Sequence, residues 1–465
     1  MNEAGLTQGD PNEPAVAPPR DWFSGLALAF LVVALVCGGS SMSAVSAGIV
    51  RVCAVPVLAL SVWRMAWRPT ARGAAWPIIM LTAAAAVVIA QLIPLPPALW
   101  SQLPGHQLAA NVYTAAELPA PWLPISLTPD ATWSALLGLF PPAAMLTATL
   151  TLGTSERRIL VAGVVLLVLI SVVLGTLQLG TGVDSPLRFY SITNPESAVG
   201  YFANRNHQAT LLATSLPLVA YLAARWAGHG GRAWFWVAAA VGYALIVAVG
   251  VMGTGSRAGL LLLVLGLAGS PAVALLARAK SPKPAWRLAA FATPAVFTLL
   301  AAGLCGLALD PSLHHAVQAR AGPELRFSLN PQVARAGLEF APLGSGAGSF
   351  AQVYQAYEPI SQMGPAFVNH AHDDFVEVWL EAGVSGVVLV FAFLTWWAAA
   401  TWSALKHRRS AALSLAGSLI VGMILIHSLV DYPLRTPALA TLFAFACGLI
   451  VPAAKTEAES GGARV

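Results

Sequence analysis

Residues 233–277 read AWFWVAAAVGYALIVAVGVMGTGSRAGLLLLVLGLAGSPAVALLA. The stretch holds two apolar runs, 233–252 and 257–277, and its one charged residue is Arg257, in the short turn Gly255-Ser256-Arg257 between them. Each run has about 20 residues, the length that an α-helix needs to cross the hydrocarbon core of a bilayer. The stretch therefore predicts two transmembrane helices joined by a tight turn.

Apolar runs of this length recur along the chain. Of its 465 residues 57% are hydrophobic and only 10% are charged, and the mean hydropathy is +0.71, whereas soluble domains carry charge on about 25% of their residues. Because helices satisfy all their backbone hydrogen bonds internally, we expect an all-α polytopic membrane protein with about 12 transmembrane helices. The predicted spans are 22–40, 44–66, 74–95, 131–152, 159–180, 207–226, 233–252, 257–277, 288–309, 375–403, 411–430 and 437–453.

The distribution of cations predicts the orientation. With the N-terminus in the cytoplasm, 17 of the 25 lysines and arginines fall inside, including all four lysines, as the positive-inside rule expects. The predicted organisation has a disordered cytoplasmic N-terminus (1–20), N-terminal transmembrane helices (21–158), a second transmembrane region (159–453) and a cytoplasmic tail (454–465). The second region includes a long outer loop, 310–372, before span 10.

Composition also excludes several kinds of partner and site. The net charge of +5 follows from the cation bias of cytoplasmic loops, so we expect no nucleic-acid partner. The four cysteines lie in apolar runs without CxxC spacing, so neither a disulfide framework nor a zinc site is expected. They are Cys37, Cys53, Cys305 and Cys447.

Four polar motifs are predicted to lie on the outer side. They are Gly200-Tyr-Phe-Ala-Asn-Arg-Asn-His207, Gly255-Ser-Arg-Ala-Gly259, Asn369-His-Ala-His-Asp-Asp-Phe375 and His427-Ser-Leu-Val-Asp-Tyr-Pro-Leu-Arg435. All eight outer cations are arginines, among them Arg188, Arg205, Arg257 and Arg435. A guanidinium binds phosphate through two parallel hydrogen bonds and keeps its charge, so these residues indicate a phosphate or diphosphate site. The alternative is that Arg257 anchors its span at the interface and that Arg205 lies in a solvated loop.

The third motif holds the candidate general base. A carboxylate near His372 would orient its ring and favour its charged form, as a base requires. Asp373 or Asp374 is expected to cap the helix that begins there. Glu377 and Glu381 follow at i, i+4, so residues 373–382 are predicted to form an interfacial amphipathic helix, with the span proper starting near Gly383. Metal binding by His370, His372 and Asp373 is possible but lacks a strict ligand spacing.

One further segment is rich in glycine. A phosphate-cradling loop has a strand before it and a helix after it, and neither is clear in the sequence around Gly344-Ser-Gly-Ala-Gly-Ser-Phe350, which favours a tight turn.

Over about residues 160–450 the chain resembles the O-antigen ligase/polymerase family, the Wzy-like membrane glycosyltransferases of bacterial surface polysaccharides. The first two motifs carry the resemblance together with Pro342–Phe350, and its most specific part is His370-Ala-His-Asp-Asp-Phe375 with the downstream Glu381-Ala-Gly383. The family more often has Asn where this chain has Asp373, which leaves the role of that residue open.

The resemblance implies a multi-pass enzyme of the bacterial inner membrane with its active site facing the periplasm. Such enzymes transfer a glycan from a polyprenyl diphosphate, usually undecaprenyl diphosphate, to the hydroxyl of a saccharide or lipid A–core acceptor, without a metal or other cofactor. The histidine matching His372 would activate the acceptor, and we place Asp373 and Glu381 with it in the catalytic set. Arg205 and Arg257 would bind the diphosphate, and we add Asn206, His207, Arg188 and Arg435 to that set. An in-line attack would invert the anomeric configuration.

Two alternatives remain open at the level of sequence. Within the family, a polymerase extends a lipid-linked repeat unit, a ligase uses lipid A–core, and some relatives use protein hydroxyls. Outside it, a polytopic transporter of a lipid-linked or anionic substrate would show internal repeat symmetry and broken spans near the midplane. The sequence has no repeat of fixed period, which favours the enzyme.

Overall fold

The computed structural model describes residues 21–67, 73–228, 233–278, 325–360, 363, 367–406 and 411–453. Within these ranges the chain is all-helical, as predicted, apart from an isolated bridge between Leu95 and Leu123. The helices are α1 (Trp22–Cys37), α2 (Ala44–Trp67), α3 (Ala75–Leu92), α4 (Pro97–Trp100), α5 (Gln107–Ala115), α6 (Pro129–Gly138), α7 (Phe140–Thr151), α8 (Thr154–Gly180), α9 (Arg205–Thr214), α10 (Leu216–Ala227), α11 (Ala233–Thr254), α12 (Arg257–Ala277), α13 (Leu325–Glu339), α14 (Phe350–Tyr354), α15 (Asp374–Lys406), α16 (Ala411–His427) and α17 (Pro437–Ile450), with a 3-10 turn at Pro433–Arg435.

Eight helical segments are long and apolar enough to cross a membrane, so the chain is a multi-pass membrane protein. They are Ala44–Trp67, Ala75–Leu92, Pro129–Thr151, Thr154–Gly180, Arg205–Ala227, Ala233–Thr254, Arg257–Ala277 and Asp374–Lys406. Three shorter apolar helices coincide with predicted spans 1, 11 and 12. Predicted span 9 (288–309), the two termini (1–20 and 454–465) and residues 310–324 of the outer loop lie outside the described residues. The count of twelve therefore stays a prediction.

Helix α15 is interrupted at Gly383. This residue has φ 56° and ψ −142° inside an otherwise helical segment, and a Cβ built on it would lie 2.2 Å from the carbonyl oxygen of Pro342. Only glycine tolerates both the left-handed backbone and this close approach. The first part of α15 therefore ends where the sequence predicts the interfacial helix to give way to the span.

Helix α17 is largely enclosed by the rest of the bundle. Most of its side chains are buried, and the buried Arg157 caps its C-terminal end by donating to the carbonyl oxygens of Gly448, at 3.1 Å, and Val451, at 2.6 Å. Carbonyls of the last helical turn have no partner within the helix, so this guanidinium satisfies them. A fixed α17 in turn anchors the preceding segment, residues 428–436, which forms part of the site.

Candidate active site

One end of the helical bundle encloses a cavity of about 280 Å³, which we call the polar cavity. The turn after α1, the loop before α9, the segment before α15 and the turn after α16 form its walls. The residues lining it are Gly39, Ser40, Ser41, Met42, Ile192, Thr193, Asn194, Ala203, Asn204, Arg205, Asn206, His207, Asn369, His372 and Tyr432. The first, third and fourth motifs of the sequence therefore meet at one place.

The second motif lies beside the first. The Nη1 atom of Arg205 lies 3.6 Å from where a Cβ on Gly255 would stand. Arg205 and Arg257 are the first residues of α9 and α12. Each helix has a capping side chain before its arginine. Asn204 accepts from the amide of Asn206 at 2.8 Å, and Ser256 accepts from the amide of Gly259 at 3.0 Å. The two arginines thus open neighbouring helices, whose N-termini carry partial positive charge. Arg205 lines the polar cavity, and the side chain of Arg257 is exposed.

His372 is held in an unusual backbone conformation. Its φ is 56°, in the left-handed region that few residues other than glycine adopt. The flanking backbone fixes it, because the amide of Ala371 donates to Glu377 at 2.8 Å and the amide of Asp374 donates to the carbonyl of Ser428 at 2.9 Å. Such conformations concentrate at functional sites. The side chain keeps 29% exposure, which is enough to reach a substrate in the polar cavity.

Nδ1 of His372 faces a fully buried carboxylate. It lies 3.6 Å from Oδ1 of Asp431, whose side chain is inaccessible to solvent. Asp431 accepts hydrogen bonds from Nδ2 of Asn206 at 2.6 Å and from the amide of Tyr432 at 2.9 Å. Burial alone would raise the pKa of Asp431, but the surrounding histidines, His207 first, hold the pKa of this carboxyl well below its usual range. Asp431 is therefore a fixed anion behind the ring of His372.

Two predicted diphosphate ligands are turned toward Asp431. Asn206 donates to the carboxylate, and Nε2 of His207 lies 3.6 Å from Oδ1 of Asp431. The side chains are 8% and 1% exposed, respectively. Both line the polar cavity, but the side-chain amide of Asn206 and Nε2 of His207 face the buried carboxylate rather than a ligand.

The ring of Tyr432 separates His372 from His370. Its centroid lies 4.9 Å from that of His372 and 4.3 Å from that of His370. Burial, reinforced by the charge of Asp431, raises the pKa of Tyr432 to about 12. The phenol is therefore a neutral wall of the cavity, neither an acid nor a base at neutral pH, and its hydroxyl accepts from Nδ2 of Asn369 at 3.5 Å.

Arg435 lies in a cluster of three buried carboxylates. Its guanidinium is 3.5 Å from Asp374, 3.5 Å from Glu377 and 2.8 Å from Glu381. Burial alone would lower the pKa of Arg435, but the carboxylates, Glu377 first, raise it. Because three anions surround one cation, the geometry argues against the prediction of Arg435 as a diphosphate ligand.

The same cluster revises the prediction for the start of α15. Glu377 and Glu381 are 1% and 3% exposed, so they do not form the polar face of an interfacial helix. Arg435 compensates their charge and makes burial tolerable. Glu381 also accepts from the amide of Phe350 at 3.3 Å. It does not line the polar cavity, which argues for a structural rather than a catalytic role.

Asp373 caps α15, as expected for one of the two aspartates. Its Oδ1 accepts from the amides of Phe375 at 2.9 Å and Val376 at 3.1 Å. Burial raises the pKa of Asp373, and these amides oppose the rise. Since its carboxylate is used within the helix turn, Asp373 positions the backbone next to His372.

Arg188 binds the loop in which it lies. Its Nη1 donates to the carbonyl oxygens of Asn194 at 3.3 Å and Ser197 at 3.1 Å, and its Nη2 donates to that of Pro195. The residue does not line the polar cavity. These contacts close the loop before α9, and they argue against the prediction of Arg188 as a diphosphate ligand.

The glycine-rich segment 344–350 is a tight turn packed against the break in α15. The amides of Ser345 and Gly346 donate to the carbonyls of Leu380 and Glu381, at 2.9 and 3.0 Å. A Cβ on Gly344, whose φ is 81°, would lie 2.4 Å from the carbonyl oxygen of Glu381. The amides that a phosphate would need are thus engaged with protein, as the tight-turn interpretation predicts.

A second, larger cavity of about 690 Å³ adjoins the cluster of carboxylates. Its walls are mainly apolar side chains of α2, α3, α7, α15 and α17, with His370, Glu381 and Arg435 at the polar end. In that end Nδ1 of His370 is hydrogen-bonded to Glu377 at 2.9 Å. Ser40 and Ser41 line both cavities, so the turn after α1 is their shared boundary.

Asp431 is the residue that sequence reasoning missed. The fourth motif was recognised, but its aspartate was not placed in the catalytic set. A signal was available, because His427 and Asp431 are spaced i, i+4 at the end of an apolar helix and therefore share a face. What the sequence does not show is that this face turns toward His207 and His372.

In a comparison with known protein families, residues 242–391 match the family model described as O-antigen ligase (Wzy_C). No curated protein matches the chain. The match covers α12 and the segment that carries His372, and it supports a membrane glycosyltransferase-like role in O-antigen assembly. Over residues 242–391 the chain is therefore similar to the O-antigen ligase/polymerase family, as the sequence motifs predict.

Proposed function

We propose that the protein is an inner-membrane glycosyltransferase that moves a glycan from a polyprenyl diphosphate carrier, undecaprenyl diphosphate being the expected one, to an acceptor hydroxyl at the periplasmic face. The reaction would serve the assembly of O-antigen or exopolysaccharide. The observation that carries the proposal is that His372 and Arg205 line one polar cavity, with the buried Asp431 behind the ring of His372. The bias of cations toward the opposite side of the membrane supports a periplasmic cavity.

His372 is the proposed general base. When Nδ1–H points at the Asp431 carboxylate, Nε2 has a free lone pair on the other side of the ring. A sugar hydroxyl is a weak nucleophile, so removal of its proton in the transition state accelerates attack. The fixed negative charge of Asp431 then stabilises the imidazolium that forms, as the aspartate of a Ser-His-Asp triad does.

Arg205 and Arg257 are the proposed diphosphate ligands. They open two neighbouring capped helices, and helix N-termini favour anions independently of the side-chain charge. The diphosphate gains negative charge as the glycosidic bond breaks, so donors fixed at this position stabilise the transition state more than the bound substrate. Two guanidinium groups would take the place of the divalent cation that many sugar transferases use.

The proposed step balances without a metal or other cofactor. The acceptor oxygen forms a bond to the anomeric carbon, and the bond from that carbon to the diphosphate oxygen breaks. The diphosphate leaves with the electron pair, and the acceptor proton passes to Nε2 of His372. Attack from the side opposite the leaving group inverts the anomeric configuration.

The assay that tests the proposal uses the purified protein, a lipid-diphosphate-linked glycan and an acceptor saccharide or lipid A–core. We expect His372→Ala, Arg205→Ala and Arg257→Ala each to lose transfer while remaining folded, and a chelator to leave wild-type transfer unchanged. Wild-type turnover in all three variants would refute the site. Loss of transfer with chelator and recovery with a divalent ion would refute the metal-free step.

The acceptor is open to a separate measurement. In a deletion strain, accumulation of single repeat units on the lipid carrier would identify a polymerase. Accumulation of full-length polymer that is not linked to lipid A–core would identify a ligase. An unchanged profile of lipid-linked saccharides would contradict the proposed function.

A further inference from the structure

Two buried histidines have no part in the proposed chemistry. His207 and His427 are each 1% exposed, so neither reaches a substrate as His372 does. Nε2 of His207 lies 3.6 Å from Oδ1 of Asp431, and Nε2 of His427 lies 3.7 Å from Oδ2. Polar rings are costly to bury without partners, and both of these rings turn toward the same carboxylate.

The partners of His427 define which nitrogen carries the proton. A carboxylate only accepts hydrogen bonds, so the nitrogen facing Asp431 must be Nε2–H. On the other side of the ring, Nδ1 lies 2.7 Å from Oγ1 of Thr210. In the neutral ring Nδ1 is then the acceptor, and the Thr210 hydroxyl is the donor. That hydroxyl has one alternative acceptor in the described structure, the carbonyl of Asn206 at 2.9 Å.

The contacts hold the carboxylate in one orientation. Oδ1 of Asp431 faces His207 and His372, and Oδ2 faces Asn206 and His427. Rotation of the carboxylate would separate it from donors on both sides. The ring–carboxylate distances exceed a hydrogen bond, and we expect them to shorten when His372 takes up a proton, as catalytic contacts do once substrate is bound.

We infer that His207 and His427 are positioning residues: each directs an Nε2–H at Asp431, and together they keep that carboxylate turned toward His372, while Thr210 fixes the tautomer of His427. The inference rests on the proposed function for its kinetic consequences. The geometry itself does not depend on the identity of the substrate.

Conservative and non-conservative variants of each histidine test the role. Glutamine places an amide donor near the position of Nε2, whereas phenylalanine keeps a ring without a donor. We expect His207→Phe and His427→Phe to lower kcat by up to about 100-fold, with the KM for the lipid-linked donor changed by less than about twofold. The glutamine variants should recover most of kcat. Equal activity of the phenylalanine and glutamine variants, or a change confined to KM, would overturn the inference.

Helix α9 supplies a matched control one turn away. Thr214 is as buried as Thr210, but within the described residues its hydroxyl donates only to backbone carbonyls, those of Thr210 at 2.7 Å and Leu211 at 3.1 Å. We expect Thr210→Val to lower kcat by about tenfold or more, Thr210→Ser to restore it, and Thr214→Val to leave it unchanged. An equal loss of kcat in the two valine variants would show that Thr210 acts through packing alone and would overturn its assignment as the residue that fixes the tautomer of His427.

A measurement that needs no substrate separates this inference from the proposed function. In protein labelled with ¹⁵N-histidine and held in lipid nanodiscs, the imidazole signals of His427 are those that disappear in His427→Gln. At a pH at which the ring is neutral we expect the Nε2–H tautomer, and an Nδ1–H tautomer would overturn the inference. If the wild-type protein transferred no glycan, the proposed function would fail while this readout remained decisive for the histidines.

Discussion

Nδ1 of His372 lies 3.6 Å from Oδ1 of Asp431, so a residue that precedes α15 and a residue that follows α16 face each other. The pair is fixed from both sides. Asp373 caps α15 next to His372, and Asn206 of α9 holds Asp431 from the opposite direction. Three separate parts of the sequence therefore determine the position of one ring.

Replacement of Asp431 by asparagine tests the pair at constant shape. The amide keeps hydrogen-bonding capacity but loses the charge that stabilises imidazolium, and it permits the wrong tautomer of His372. We expect kcat to fall by about 100-fold or more in Asp431→Asn, with little change in the KM for the lipid-linked donor. Steady-state kinetics in detergent or liposomes measure both. Wild-type kcat in a folded Asp431→Asn protein would contradict the proposal that Asp431 stabilises the imidazolium of His372.

The depressed pKa of Asp431 predicts how its contribution to stability depends on pH. The folded pKa lies below the unfolded value of about 3.9, so the contribution is present above that value and is lost as the pH falls through the folded pKa. The difference in unfolding temperature between wild type and Asp431→Asn should therefore shrink as the pH falls below about pH 4. A difference that grew below about pH 4 would have the wrong sign.

We propose that Arg205 is a diphosphate ligand and Arg188 a structural residue, and lysine substitutions test this difference. Lysine keeps the charge but loses the planar pair of donors that grips a diphosphate. We expect Arg205→Lys to raise the KM for the donor and to lower kcat, because phosphate is bound more tightly in the transition state. Arg188→Lys should loosen the loop before α9 and lower thermal stability, with donor KM kept. The same kinetic change in both variants would show that Arg205 and Arg188 do not differ in role.

Arg435 is expected to matter for stability through the carboxylates that it neutralises. Arg435→Met leaves Asp374, Glu377 and Glu381 buried without their cation, and we expect the free energy of unfolding to fall by about 3 kcal/mol or more. A suitable control is Arg51→Met, because Arg51 donates only to the carbonyl and hydroxyl of Ser134 in the contacts described for it. Loss of its hydrogen bonds should cost about 1 kcal/mol. Denaturation in detergent, followed by tryptophan fluorescence, measures the free energy of unfolding of both variants. Equal losses would contradict the role of Arg435 in neutralising the three carboxylates.

Local chemistry in the sequence predicted much of the fold. Eight predicted spans appear as long apolar helices, because length and apolarity are local properties of a run. The cap at Asp373 and the break at Gly383 were predictable for the same reason, since each depends on a residue type at a helix end or turn. The prediction of Arg205 beside His372 also needed only the assignment of both motifs to one side of the membrane.

The pairing of charges was not predictable from local sequence. Arg188 and Arg435 have the same side chain as Arg205, but one is bound by carbonyls of its own loop and the other by three carboxylates of α15. Whether a guanidinium is available to a ligand depends on contacts between elements that are distant in sequence. For the same reason Asp431 was missed, although its motif was recognised, because its partners His207 and His372 lie on other helices.

The most direct test of the central claim is single-turnover transfer from a purified polyprenyl-diphosphate-linked glycan by protein in liposomes, comparing wild type with His372→Gln and with His106→Gln. His106 is a buried histidine whose ring is bonded to the carbonyls of Pro104 and Ile125 and which lies outside the polar cavity. We predict that His372→Gln lowers the rate of transfer by about 1,000-fold at unchanged donor binding, the range for loss of a general base, and that His106→Gln keeps it. Transfer at the wild-type rate by a folded His372→Gln protein would contradict the account.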